Sequence, residues 1–176
     1  MDEQPIINRV ANSAIKTIDL EEFYTPGERV AIDLKDQLFQ GMILREKDFR
    51  EFIRLHDWSQ YRGKLVAVHC SADAIIPTWA YMLIAAALQP HAAFVHAGTL
   101  AEMEAALFRE KIQATDWSAY REARVVLKGC GKIPVPASAY LDATARLRPW
   151  AASIMFGEPC STVPVYKAPK TAEKGL

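Results

Sequence analysis

Hydrophobic positions along the chain follow two rhythms. Phe49, Phe52, Ile53 and His56 fall at i, i+3, i+4 and i+7, one face of a helical period. A second helix is expected to begin near Thr99, where Thr99-Leu100-Ala101-Glu102 reads as a capping box and Leu100, Met103 and Leu107 form the apolar face. After each of these helices the pattern changes. Residues 64–69 and 124–128 contain the short runs Leu65-Val66-Ala67-Val68 and Val125-Val126-Leu127, the near-continuous kind expected of strands covered on both faces. A helix over 78–88, apolar nearly all round, and a further apolar run at 92–96 complete a β-α-β-α-β-α order from residue 64 onward. Such alternation predicts a parallel sheet with right-handed crossovers.

Upstream of residue 45, segments 15–19, 29–34 and 41–44 read as strands around a Thr25-Pro26-Gly27 turn, with a helical turn at 20–24. They are expected to add strands at a sheet edge. A last helix is predicted over 138–156, kinked or broken at Pro149. Beyond Gly157 the prolines at 159, 164 and 169 favour extended chain, and 168–176 reads as a disordered tail. The predicted fold is therefore α/β, a mostly parallel sheet with helices on both faces and N-terminal edge strands, in a single domain over 1–167.

The two rhythms occur twice. Phe49-Arg50-Glu51 and Asp57-Trp58-Ser59-Gln60-Tyr61-Arg62 return as Phe108-Arg109-Glu110 and Asp116-Trp117-Ser118-Ala119-Tyr120-Arg121, always 59 residues later. Segments 49–81 and 108–140 share 13 identities over 33 positions, which reads as an internal duplication of one supersecondary unit. Within it, Asp57 and Asp116 are expected to fix tight turns while the aromatic residues pack between helix and strand. Trp79, Tyr81 and Tyr140 are expected in the core.

Composition narrows the function classes. Twenty-one basic residues balance 21 acidic ones, which disfavours a nucleic-acid binder, since phosphate neutralisation needs a cationic surplus. The first residues lack a signal-peptide pattern, and no apolar run is long enough to span a bilayer. Three widely spaced cysteines do not make a disulfide framework and fit a reducing cytoplasm.

Those cysteines are the candidate chemistry. Cys70 and Cys130 each follow a predicted parallel strand, and ligands of α/β sheets bind outside the carboxyl ends of such strands. If Cys160 folds back over that rim, the three thiolates would suit zinc or iron, with Asp73, His69 or Glu158 as a fourth ligand. Alternatively Cys70, ahead of the helix starting near Pro77, is the best candidate nucleophile. Gly129-Cys130-Gly131-Lys132 lacks the spacing of a phosphate loop; it could contact an anion, and is expected chiefly to turn the chain.

The motifs Ile43-Leu44-Arg45-Glu46-Lys47-Asp48-Phe49-Arg50, Cys70-Ser71-Ala72-Asp73-Ala74-Ile75-Ile76-Pro77-Thr78-Trp79-Ala80-Tyr81 and Gly157-Glu158-Pro159-Cys160-Ser161-Thr162-Val163-Pro164 resemble the bacterial domain-of-unknown-function family 2480, over roughly residues 6 to 167. The resemblance implies no activity. It implies cysteines at positions 70, 130 and 160 as family motifs, and a cytoplasmic role near iron-sulfur cluster assembly, whose proteins become candidate partners.

Three readings follow. The first is a thiolate metal-binding or sulfur-handling accessory to iron-sulfur assembly, carried by Cys70, Cys130, Cys160 and Asp73. The second is a noncatalytic protein-interaction module with structural cysteines. The third is a cysteine-dependent transferase or hydrolase.

Overall fold

The computed structural model describes residues 15–129, 131–158 and 160–169. They form an α/β fold with four α-helices and mostly parallel strands, distributed between two sheets. The chain divides into two compact units, one of Thr25–Leu107 and the other of the chain up to Tyr24 and from Phe108 on.

In the Thr25–Leu107 unit, β2 (Arg29–Asp33), β3 (Leu65–His69) and β4 (Phe94–Ala97) form a parallel sheet in the order β2-β3-β4. Strand alternation sends Val66 and Val68 of β3 to one face, where they pack with Phe49 of α1 (Glu46–Leu55) and Ala80, Ile84 and Leu88 of α2 (Thr78–Leu88). Leu65 and Ala67 point the other way and pack with Met103 and Leu107 of α3 (Leu100–Ala114). Helices therefore cover both faces, which is why β3 is apolar from Leu65 to Val68. The capping box at the start of α3 is formed: the Thr99 amide donates to Glu102 Oε2 at 2.7 Å, and the Glu102 amide to Thr99 Oγ1 at 3.3 Å.

In the other unit, β1 (Ile15–Asp19), β5 (Arg124–Lys128) and β6 (Ser153–Glu158) run parallel, and β7 (Ser161–Lys167) returns antiparallel to β6, in the order β1-β5-β6-β7. Its core joins Ile18, Val125, Leu127 and Ile154 to Phe108 and Ile112 of α3 and to Ala139, Ala143 and Leu147 of α4 (Ala137–Leu147). β1 and β2 are edge strands, as the N-terminal pattern predicts. The segment 41–44 forms only an isolated bridge, Phe39 to Ile43.

Equivalent elements recur at the interval of the sequence repeat. Single 3-10 turns span Trp58–Tyr61 and Trp117–Tyr120, β3 and β5 are 59 residues apart, and so are α2 and α4. In each turn the aspartate caps the following serine amide at 3.0 Å. The indole N–H of Trp58 donates to the Ile53 carbonyl, and that of Trp117 to the Ile112 carbonyl, both at 2.8 Å. The Asp-Trp-Ser-x-Tyr motif thus ties each turn to the helix before it.

Two expectations need correction. The last helix ends at Leu147, ahead of Pro149, and residues 153–158 are a strand rather than helix. Pro149 cannot donate to the helical ladder, and the Ile154-Met155-Phe156 run that follows finds a vacant place beside β5. Secondly, β3 and β5 belong to different sheets, because β2 pairs with β3 and β1 with β5. The expectation that the strands preceding Cys70 and Cys130 end on the rim of one sheet is therefore not met. The disordered tail expected at 168–176 lies, from residue 170 on, outside the described residues.

Candidate functional site

The carboxyl ends of β1 and β5 carry paired charges. Asp19 and Lys128 are register partners, with Lys128 Nζ 3.1 Å from Asp19 Oδ2 and 3.9 Å from Glu158 Oε1. The hydrogen bond to Asp19, with the charges of Asp19, Glu158 and Glu21, holds the Lys128 ammonium above the ordinary lysine range. The loop after β5 donates its amides inward: Gly131, Lys132 (3.2 Å) and Ile133 (3.3 Å) all reach the Glu21 carboxylate. A backbone-amide concavity of this kind favours an anion, and a side chain of the same unit fills it. The loop does turn the chain, as its sequence suggests, around an internal carboxylate. Its glycines allow two close approaches: a Cβ at Gly129 would lie 2.6 Å from the Tyr140 hydroxyl, and one at Gly131 would collide with Glu21.

Beside this loop lies a crevice. One lobe, of about 600 Å³, is lined by the loop residues from Gly129 to Val135 that are described, together with Ala137, Tyr140 and Phe156. The other, of about 670 Å³, shares Ala137, Tyr140 and Phe156 and continues along α4 to Leu141, Thr144, Ala145 and Arg148, with Met155 and Val165 on the strand side. Tyr140 and Phe156 meet edge to face, centroids 5.6 Å apart, where the lobes join. The helix α4 therefore presents two stripes. Ala139, Ala143 and Leu147 are buried in the core, while Ala137, Leu141, Thr144, Ala145 and Arg148 line the crevice. Leu141 is 72% exposed, Val165 52% and Phe156 38%.

The Thr25–Leu107 unit has a smaller groove in the corresponding place. It measures about 300 Å³ and is lined by Val68, Thr78, Tyr81, Met82, Ala85, Val95 and Ala97. Six of these stand 59 residues before Leu127, Ala137, Tyr140, Leu141, Thr144 and Phe156 of the larger lobe. None of its seven lining residues is charged, whereas Arg148 lines the larger one.

Against known proteins, the family described as "Protein of unknown function (DUF2480)" matches residues 4–168. The chain belongs to this family. No curated protein and no solved structure matches it.

In this DUF2480 chain Cys70 belongs to the Thr25–Leu107 unit and Cys160 to the other unit. Cys70 is half-buried and packs beside the core of the Thr25–Leu107 unit, its thiol donating to the Ala72 carbonyl at 3.7 Å. Burial, and secondarily the electrostatic influence of Cys70, pushes the Tyr81 phenol up. His69 does not pair with Cys70: alternation sends Cys70 to the Val66 and Val68 face and His69 to the Leu65 and Ala67 face. Asp73 is exposed on the loop after Cys70. Cys160 is exposed in the turn joining β6 to β7, in the other unit. Cys130 lies outside the described residues. Among the described residues, no group of three or more His, Cys, Asp or Glu side chains is placed to hold a metal ion. No helix among them is long and apolar enough to cross a membrane.

At the carboxyl end of β2, Asp33 accepts from the Ser71 amide at 3.0 Å, the Ser71 hydroxyl at 2.5 Å and the Lys35 amide at 3.1 Å. Burial raises the Asp33 carboxyl, but the bonds from Ser71 and Lys35 and the Lys35 charge outweigh it and hold the group far below the ordinary carboxylate range. Glu102 is held low by its Thr99 bonds, with smaller contributions from His96 and His69. These groups organise loops and are not gathered around a cavity among those described.

Sequence reasoning missed Glu21, Leu141, Arg148 and Phe156. It placed Tyr140 in the core, whereas Tyr140 is half-buried at the junction of the lobes. The available signal was the second apolar stripe of α4, visible once the helix is ended at Leu147.

Proposed function

We propose that this protein is a noncatalytic protein-interaction module whose binding face is the crevice along α4, β6 and β7. The observation carrying this reading is the lining of its larger lobe: eight of ten residues there are apolar or aromatic, the others being Thr144 and Arg148. Leu141, Phe156 and Val165 are among the exposed large apolar residues, and clustered exposed apolar surface marks sites of association. Burying one such side chain on a partner contributes about 1.5 to 3 kcal/mol, so a few anchors suffice for a specific complex. The cysteines are structural in this reading, which suits Cys70 packed beside its core. The thiolate reading, with zinc or iron on Cys70, Cys130, Cys160 and Asp73 and iron-sulfur assembly proteins as partners, draws no support from the described residues.

Photo-crosslinking in the producing cell tests the proposal. A benzophenone side chain placed at Leu141 should trap a discrete partner, whereas one at Ile75, 92% exposed on a loop of the other unit, should not. Equal, diffuse labelling from both positions would sink the reading.

A further inference from the structure

We propose that the segment docking in this crevice is an acidic amphipathic helix, an assignment that rests on the interaction reading above. The argument begins with the shape of α4. Its exposed stripe runs Ala137, Leu141, Thr144, Ala145 and, at the C-cap, Arg148, spacings of four, three, one and three, which is the ridge a second helix packs against. Ala137, Thr144 and Ala145 are small, so a helix axis can approach closely, while Leu141 supplies the knob. Phe156 and Val165 offer an apolar wall across the crevice. A helix seated there would read as apolar residues at i, i+3, i+4 and i+7, the helix-in-groove mode of recognition.

Charge selects the partner's polar face. Arg148 lines the larger lobe and Lys132 the smaller one, and none of the described lining residues is acidic. Three acids of the elements around it already have partners. Glu21 takes the loop amides, Asp142 pairs with Arg109 at 3.0 Å, and Glu158 lies 3.9 Å from Lys128. The Arg148 guanidinium sits over the Tyr166 ring, 4.1 Å from its centroid, which holds its position and leaves its charge in place. A helix with Glu or Asp flanking its apolar stripe meets a cation in each lobe, whereas a basic helix meets repulsion. Complementarity of this sort sets specificity and encounter rate more than raw affinity.

The groove of the other unit supplies an internal control. It repeats the apolar stripe through Thr78, Tyr81, Met82 and Ala85 but has no charged lining residue. It is also less than half the volume of the larger lobe. Charge preference should therefore reside in the Arg148 crevice alone.

The test measures fluorescence anisotropy of two labelled 18-residue model helices on the full chain. Both carry the same leucine stripe on an alanine background, one with glutamate and the other with lysine at the flanking positions. The acidic helix should bind roughly tenfold tighter at low salt, with the difference shrinking as salt screens it. Lys132→Glu with Arg148→Glu should reverse the preference, and Arg148→Lys should largely restore it. Leu141→Asp should abolish binding of both helices, and Met82→Asp should leave the acidic helix within about twofold. Circular dichroism and unfolding midpoints confirm that each variant is folded. Lys132→Glu alone, on an exposed loop, keeps the charge test available if the Arg148 change disturbs Tyr166. Equal affinity for the two helices overturns the acidic assignment and leaves the interaction face standing. Binding of neither helix overturns the helix assignment, and the crosslinking from position 141 then decides the interaction reading separately.

Discussion

The side chain of Glu21 receives the backbone amide of Gly131, 110 residues further along the chain, and the amides of Lys132 and Ile133 with it. One carboxylate thus fixes the loop that forms a wall of the crevice. Removing it leaves three amides to be satisfied by water. We expect Glu21→Ala to cost about 1 to 3 kcal/mol in urea unfolding. Gly131→Ala should cost a similar amount, because its Cβ meets the same carboxylate, and the double variant should cost less than the sum. Additive effects would show that the two residues do not act through one contact.

Asp33 gives acid sensitivity to the Thr25–Leu107 unit. Its carboxyl in the folded state lies below its unfolded value, so the stabilisation is complete above about pH 4 and is lost as pH falls through the depressed folded value. Asp33→Asn should therefore lower stability at pH 7 by about 1 to 2 kcal/mol. Below pH 4 the gap between the variant and the parent should narrow. A gap unchanged between pH 7 and pH 3 in denaturant titrations would refute this account.

The two indole N–H bonds are equivalent in geometry but not in burial. Trp117 is 4% exposed and Trp58 9%. Phenylalanine at either position removes the donor to the helix carbonyl and leaves an unfilled ring volume. Each change should cost about 1 to 3 kcal/mol, with Trp117→Phe at least as severe as Trp58→Phe. Native-state hydrogen exchange should show the loss localised to the end of the preceding helix.

Thiol reactivity should follow placement. Cys160 is exposed in a hairpin turn, and Cys70 is half-buried and bonded to the Ala72 carbonyl. With a limiting amount of iodoacetamide, mass spectrometry should find Cys160 modified before Cys70. Preferential labelling of Cys70 would mark it as an activated thiol and favour the nucleophile reading over a structural role.

Much of the fold is legible in the chain itself. Short apolar runs at 65–68 and 125–127, the capping box at Thr99 and the repeated Asp-Trp-Ser-x-Tyr turns are local signals, and local backbone preference and side-chain capping decide them. Residues 153–156 were misread as helix because Ser-Ile-Met-Phe is too short for a period to arbitrate, and the pairing with β5 that makes them a strand is not local. The cysteines invited a shared site because each follows a regular element in sequence. That inference needed strand pairing as well as strand order.

By itself, the sequence determined the identity and order of most elements, the caps that bound them and the 59-residue recurrence, since each depends on residues within a few positions of one another. Only the tertiary structure decided which strands share a sheet, that Glu21 serves the loop at Gly131, and that α4 keeps a second apolar stripe uncovered. Those facts depend on contacts between residues far apart in the chain. Hydrophobic burial rewards any apolar face equally, so the sequence marks a face as apolar without saying which neighbour covers it.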